Sequence, residues 1–185
     1  AGAFALTFLG ASAGITGFLH FAQSILYVPL VGLCFAMVAF GLFMSTMHLG
    51  KPKRFYRGFN NLRHSPVSRE GLGIAIFMAG LGMHILFSLP ANELFQQVFT
   101  TLFGLDIASI VPASISHTLA TAFGGLAVVA SLGGLYYMNR CYRIKARPFW
   151  NHWQVGTAFF GNMLSLGALV SGVVILPTLM FLGES

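Results

Sequence analysis

The hydrophobic residues of this 185-residue chain fall into five long stretches, which are separated by shorter polar segments. A helix that crosses the hydrocarbon core of a bilayer needs about 20 mainly apolar residues, and each stretch is long enough. We therefore predict an all-α fold, a polytopic bundle of transmembrane helices in which residues 1–185 form a single membrane-embedded domain. The predicted spans lie at about 3–23, 24–48, 70–89, 112–139 and 155–182, and Pro90 ends the third span.

The segment between the third and fourth predicted spans, 92–110, has a different pattern. Its apolar residues recur at helical spacing, while polar residues fill the opposite face. The apolar positions are Leu94, Phe95, Val98, Phe99, Leu102 and Phe103. The pattern predicts an amphipathic helix, which either lies on the membrane surface or packs into the edge of the bundle.

Composition supports the membrane assignment. Only 8% of the residues are charged and the mean hydropathy is +0.80, whereas a soluble domain carries roughly 25% charged residues. Glycines recur in three of the predicted spans, and in lipid such small residues allow helix backbones to approach closely. We expect a packing role for Gly10, Gly14, Gly71, Gly73, Gly80, Gly82, Gly124, Gly125, Gly133 and Gly134.

The two cysteines limit the redox chemistry of the protein. Cys34 lies in an apolar stretch and Cys141 lies at the edge of a basic one, with no CxxC motif and no metal-ligand spacing. Because iron–sulfur clusters normally need four cysteine ligands, we expect no such cluster and no structural metal site in this sequence. Any electron-transfer role must therefore use redox centres of a partner or of bound small molecules.

The cationic residues are confined to two short stretches, 51–69 and 140–147. Two spans separate these stretches, so we expect the loops at 50–69 and 140–152 to lie on the same face of the membrane. The positive-inside rule would place that face in the cytoplasm. Nothing in the charge pattern indicates a nucleic-acid-binding arm.

The densest polar segment, 45–73, offers two candidate catalytic residues. His48 ends the second predicted span and Glu70 opens the third, so we expect both at similar depth near one membrane surface. A quinol that loses two electrons also loses two protons, and an imidazole and a carboxylate are suitable bases for them. The alternative is structural: His48 is then only a helix-end residue, and Glu70 pairs with Arg69 or Arg63.

Two loop motifs favour the chemical interpretation. The first comprises His48-Leu49-Gly50, Pro52 and Arg54, then Asn60-Asn61, then Ser68-Arg69-Glu70. The second comprises Tyr142-Arg143 and Ala146-Arg147-Pro148-Phe149-Trp150-Asn151. Both motifs resemble, in the same order, those of the membrane-anchor subunit of bacterial dimethyl sulfoxide reductase and its relatives. The resemblance covers most of the sequence.

The resemblance implies a function. Such anchors oxidise menaquinol at the plasma membrane of a prokaryote and pass electrons to an iron–sulfur subunit, which supplies a molybdopterin catalytic subunit. It implies a quinol site formed by His48, Asn61, Arg69 and Glu70, with His48 and Glu70 as the catalytic pair. Members of that family usually contain more spans than five, so we expect this sequence to be part of a longer anchor or a shortened relative.

The resemblance also offers a second explanation for the basic loops. In many relatives the catalytic subunits lie outside the cytoplasm, against the face that carries the quinol site, which disagrees with the positive-inside rule. The loops would then dock the partner subunits, although the segment around Trp150 would equally suit an interfacial anchor. The docking candidates are Lys51, Lys53, Arg54, Arg57, Arg143, Arg147 and Trp150.

Three histidines support a competing hypothesis. His20, His84 and His117 fall towards the membrane face opposite His48, and two histidines on separate helices are able to ligate a haem. We favour satisfied polar packing over haem b binding, because the family that the sequence resembles does not carry haem. A purely structural anchor is the third hypothesis.

Overall fold

The computed structural model describes residues 1–48, 50–143 and 148–181, without the side chain of Pro52. Throughout these residues the regular structure is helical, with no strand, which confirms the predicted all-α fold. The α-helices are α1 (Gly2–Ser12), α2 (Thr16–Gln23), α3 (Tyr27–Met47), α4 (Pro66–Ser88), α5 (Glu93–Phe103), α6 (Ile107–Ile110), α7 (Ala113–Tyr142) and α8 (Trp153–Phe181). Two 3-10 helices lie at Pro52–Phe59 and Leu89–Ala91.

Within the described ranges, four helices are long and apolar enough to cross a membrane: α3, α4 with its 3-10 extension, α7 and α8. They correspond to the last four predicted spans, and the protein is a multi-pass membrane protein. Helix α4 begins earlier than predicted, at Pro66, because Ser65 caps it by accepting a 3.3 Å hydrogen bond from the Ser68 amide. Glu70 therefore lies in the second turn of α4 and does not open the helix.

The prediction of one continuous helix over 3–23 is wrong. This region forms two helices, α1 and α2, and the chain bends by 106° between them. The region is a fifth membrane span only if the two bent helices are counted together as one span. Gly14 lies between them with φ of +75°, a left-handed conformation that glycine adopts readily. A Cβ atom on Gly10 would lie 2.5 Å from Cδ2 of Phe18, so the two helices fold closely against each other.

The amphipathic segment forms α5 and the single turn α6. Asn92 caps α5 by accepting a 3.4 Å hydrogen bond from the Phe95 amide, and its Nδ2 donates to the Ile25 carbonyl at 3.1 Å. Phe95 packs against the hydrophobic core, whereas Leu102 and Phe103 are exposed. Helix α5 therefore packs against the edge of the bundle through its first turn. Gly104, with φ of +63°, ends it.

The centre of the bundle is the antiparallel pair α4 and α7, which makes the most extensive interhelical contact. A Cβ atom on Gly73 would lie 2.8 Å from the Gly134 Cα, and one on Gly80 would lie 3.1 Å from the Ala127 amide nitrogen. The predicted packing role is confirmed at these glycines, where the backbones nearly touch. Gly125 and Gly133 have no such neighbour within 4 Å.

Candidate functional site

Glu70 and Cys141 form a contact between α4 and α7 at one end of the bundle. The Cys141 thiol donates a hydrogen bond of 3.4 Å to Oε2 of Glu70, and both side chains are partly buried. Glu70 follows the first basic stretch and Cys141 lies within the start of the second. The contact therefore brings the ends of the two basic stretches together at the rim of the bundle.

Arg69 connects the first basic loop to this rim. Its Nε donates a 2.8 Å hydrogen bond to the Leu62 carbonyl, and its Nη2 donates to the Arg63 carbonyl. Its guanidinium carbon lies 5.4 Å from the ring centre of Tyr137 on α7. The guanidinium thus holds the loop against α4 and α7, as a planar group with several donors is suited to do.

The pairing that the structural alternative assumes for Glu70 does not occur among the described residues. Among them, Glu70 forms no ion pair with Arg69 or Arg63, and its hydrogen-bond partner is Cys141. Arg69 uses its donors on backbone carbonyls instead, so it stabilises the loop rather than the carboxylate.

His48 lies at the C-terminal end of α3, on the same side of the bundle, and its side chain is exposed. Its Nδ1 lies 2.7 Å from the Met44 carbonyl oxygen. Because a carbonyl oxygen only accepts, Nδ1 carries the hydrogen, and Nε2 of the neutral ring keeps a lone pair. Nε2 is therefore the ring nitrogen that is able to accept a proton. No direct hydrogen bond joins His48 to Glu70 within the described residues.

Asn61 lies in the loop before α4. Its Oδ1 accepts a 3.3 Å hydrogen bond from the His64 amide, and its carbonyl accepts a 2.9 Å hydrogen bond from the Ser65 amide. Both contacts stabilise the turn that leads into α4. Asn61 therefore makes hydrogen bonds within its own loop. Among the residues described, neither Asn61 nor Arg69 forms a side-chain hydrogen bond or an ion pair with His48 or Glu70.

The predicted docking residues are exposed at this end wherever the structure describes them. These are Lys51, Lys53, Arg54, Arg57, Arg143 and Trp150. Arg147 lies outside the described residues. Trp150 contacts the ring of Tyr142 with a centroid distance of 5.5 Å, and Tyr142 contacts Phe159 of α8 at 5.3 Å. Trp150 is thus part of an aromatic cluster that ties the second basic loop to the bundle.

A partly open groove of about 210 Å³ lies between α3, α4 and α7, and its lining is almost entirely apolar. Its walls include Val38, Leu42, Gly73, Phe77, Leu135 and Met138. Gly73 lies three residues beyond Glu70, and Met138 lies three residues before Cys141. At a rise of about 1.5 Å per residue, the groove ends one turn below the Glu70–Cys141 contact.

The histidines at the opposite end differ from one another. His84 is buried, with Nε2 2.8 Å from the Tyr27 hydroxyl and Nδ1 2.7 Å from the Ala120 carbonyl. Both ring nitrogens are therefore engaged, so His84 has none to offer a haem iron. His20 and His117 are exposed, and His20 lines a separate polar cleft of about 410 Å³. The structure confirms satisfied packing for His84, and a haem would have to use His20 and His117.

Sequence reasoning missed two residues that the structure brings into these contacts. From sequence, Cys141 is only a cysteine at the edge of a basic run, and Tyr27 is one of several aromatic residues in an apolar stretch. Their partners lie 71 and 57 positions away. No local pattern marks such a pair, because only the antiparallel packing of the helices brings its members together.

Comparison with known proteins identifies one relative of interest. Over 144 residues the sequence is 25% identical to the C subunit of the anaerobic dimethyl sulfoxide reductase of Haemophilus influenzae. The match covers 77% of the present protein but 43% of that relative, so the sequence spans less than half the length of this curated relative. No family model and no solved structure matches. The similarity confirms the resemblance that the two loop motifs indicate.

Proposed function

We propose that this protein is a membrane-anchor subunit that oxidises a quinol, menaquinol by the resemblance, at the rim formed by α3, α4 and α7. Electrons would pass to an iron–sulfur subunit and from it to a molybdopterin catalytic subunit. The name of the Haemophilus influenzae relative supports a place in a reductase of the dimethyl sulfoxide reductase type. The plasma membrane of a prokaryote is the location that fits such a complex.

The observation that carries the proposal is the position of the apolar groove relative to Glu70. A long-tailed quinol dissolves in the hydrocarbon core and presents its polar ring at the lipid boundary. The groove between α3, α4 and α7 offers an apolar surface for the tail or the ring edge. One turn above it, the Glu70 carboxylate has one oxygen engaged by Cys141, and its other oxygen has no partner among the described residues.

We assign the two proton acceptors to His48 and Glu70, which lie at the same end of the bundle. As the quinol becomes a quinone, it releases two electrons and two protons. His48, with its lone pair on Nε2, takes one proton, and the carboxylate of Glu70 takes the other. The electrons would pass to the iron–sulfur centre of the partner subunit. Because His48 is exposed, the proton that it takes then has a short route to water at the rim.

The exposed cations support a docking surface beside this site. Arg54 and Arg57 belong to the 3-10 helix Pro52–Phe59, which follows His48 closely in the sequence. A soluble subunit with an acidic surface would be attracted to this face, and its iron–sulfur centre would then lie near the quinol. The described residues include no group of three or more side chains that would hold a metal ion. The proposed electron acceptor is therefore the iron–sulfur centre of the partner, which has to lie near the quinol to receive electrons.

The test separates quinol chemistry from anchoring. The variants His48→Gln and Glu70→Gln are assembled with their partner subunits in membranes, and oxidation of a short-tailed naphthoquinol is compared with oxidation of a reduced artificial dye. We expect quinol-linked turnover to fall by about 10²-fold or more, the scale of a lost acid–base group, while dye-linked turnover stays unchanged.

Matched control variants are His64→Gln, an exposed histidine of the first basic loop, and Glu93→Gln at the start of α5. Both should leave both activities unchanged. If His48→Gln and Glu70→Gln also leave quinol-linked turnover unchanged, the quinol proposal is wrong and the protein is a structural anchor.

A further inference from the structure

We propose that Cys141 is a positioning residue for Glu70: its thiol holds one carboxylate oxygen and leaves the other to take a proton from the quinol. The inference rests on the quinol-oxidising function proposed above. It assigns a role to a side chain that lies on a different helix from both proposed proton acceptors.

The contact itself is specific. The Cys141 Sγ lies 3.4 Å from Oε2 of Glu70, within the range of a hydrogen bond to sulfur, and it joins α7 to α4. It is the hydrogen bond that the structure gives to the Glu70 side chain, and within the described residues Oε1 has no partner. A carboxylate held at one oxygen loses rotational freedom, so its other oxygen keeps a defined direction.

The packing below the contact makes its geometry rigid. One turn from Glu70, the backbones of Gly73 and Gly134 are so close that a Cβ on Gly73 would lie 2.9 Å from the Gly134 amide nitrogen. Directly before Glu70 in the sequence, Arg69 of α4 lies over the ring of Tyr137 of α7. The two helices are therefore fixed in separation and in register at the point where Cys141 meets Glu70.

A thiol is suited to this role because it is a weak donor. A strong donor stabilises the charged form of a carboxylate and so weakens it as a base, whereas no donor leaves it free to rotate. The thiol directs the carboxylate through a weaker hydrogen bond than a hydroxyl would form. Serine at the same position would hold the oxygen more strongly, and alanine would not hold it.

Other charged and titratable groups lie on the elements at this end of the bundle, and any pH effect has to be measured against them. They are Tyr137, Arg140 and Cys141 on α7, His48 at the end of α3, Lys53, Arg54 and Arg57 in the first 3-10 helix, Arg63 in the loop, and Arg69 on α4 itself. Apart from the thiol itself, these groups remain the same in the cysteine variants below. A change in the pH profile of those variants therefore reports on the thiol.

The first experiment detects the hydrogen bond between Cys141 and Glu70 directly and does not depend on quinol turnover. The S–H stretching bands of the purified protein in lipid nanodiscs are recorded by infrared spectroscopy and assigned with Cys141→Ala and Cys34→Ala. We expect the Cys141 band to move to higher frequency in Glu70→Leu, which removes the acceptor, while the Cys34 band stays in place. A Cys141 band that is identical with and without Glu70 would overturn the inference.

The second experiment measures the consequence in the complex with its partner subunits, using a short-tailed naphthoquinol. Cys141→Ala should lower kcat/KM by about five- to tenfold, the factor expected for one ordinary hydrogen bond. The acidic limb of its pH profile should move to higher pH by roughly half a unit. Cys141→Ser, which donates more strongly, should keep most of the activity and move the limb to lower pH.

Cys34 provides the matched controls. It is a partly buried, unpaired thiol on α3, and Cys34→Ala and Cys34→Ser should leave the limb in place. If Cys141→Ala and Cys141→Ser leave it in place as well, while Glu70→Gln abolishes quinol turnover, the positioning role is wrong and the proposed function stands. If Glu70→Gln has no effect on quinol turnover, the proposed function itself is wrong.

Discussion

Tyr27, at the start of α3, and His84, near the end of α4, are joined by a hydrogen bond of 2.8 Å in the interior of the bundle. His84 also contacts the Ala120 carbonyl of α7 at 2.7 Å, and the rings of Phe4 and Phe8 of α1 meet its ring edge-on at centroid distances of 5.2 and 5.7 Å. Four helices thus converge on one imidazole, at the end opposite His48. Because Nδ1 donates to a carbonyl, Nε2 accepts from the tyrosine hydroxyl.

The first prediction concerns this hydrogen bond. Tyr27→Phe removes the donor and leaves Nε2 of His84 buried without a partner, so it should lower the free energy of unfolding by about 1 kcal/mol, the scale measured for polar contacts between membrane helices. The measurement is thermal unfolding of the purified protein in detergent. Tyr56→Phe, at an exposed tyrosine of the first 3-10 helix, is the control and should change nothing. Equal stability of the two variants would contradict the assignment.

The second prediction concerns the contact between α4 and α7. Gly73→Ala places a Cβ atom against the backbone of Gly134, which has no flexible side chain that would yield, so the helices must separate. We expect a loss of about 1–3 kcal/mol, as for overpacked cores.

The control for that variant is Gly133→Ala, on the face of α7 where no atom lies within 4 Å. Alanine is the better helix former, so this change should be neutral or stabilise the protein by up to about 1 kcal/mol. Unfolding in detergent would measure both. A Gly73→Ala variant as stable as Gly133→Ala would show that α4 and α7 do not pack as closely as described.

The third prediction concerns the proposed docking of soluble partner subunits. Arg54→Glu with Arg57→Glu reverses two exposed charges next to the proposed quinol site, so the soluble subunits should dissociate from the membrane at lower salt. Co-purification over a salt series measures this directly. The control, Gln97→Glu with Thr101→Glu, adds negative charge on exposed positions of α5 and should leave the dissociation unchanged. Loss of binding in both variants would point to a general charge effect.

The positions of His48 and Glu70 in the predicted spans could be inferred from the sequence. The position of His48 at the end of one span and of Glu70 near the start of the next follows from where the apolar stretches stop, and the structure places both residues on the same side of the bundle. The start of α4 could not be predicted from hydropathy. The Ser65 cap and Pro66 extend the helix into a polar region, which a hydropathy profile does not assign to a span. That extension moves Glu70 inward by a turn and beside Cys141.

Hydropathy and charge are properties of single residues summed over a short window, so the amino-acid sequence was sufficient for the four long spans and for the basic character of the two loops. The bend between α1 and α2, the Cys141–Glu70 contact and the partners of His84 depend on which helix faces lie against each other. Those faces are chosen by close contacts such as Gly73 with Gly134, between residues far apart in the sequence. Tertiary packing alone therefore decided which polar side chains meet, and so which of them are engaged and which remain available for chemistry.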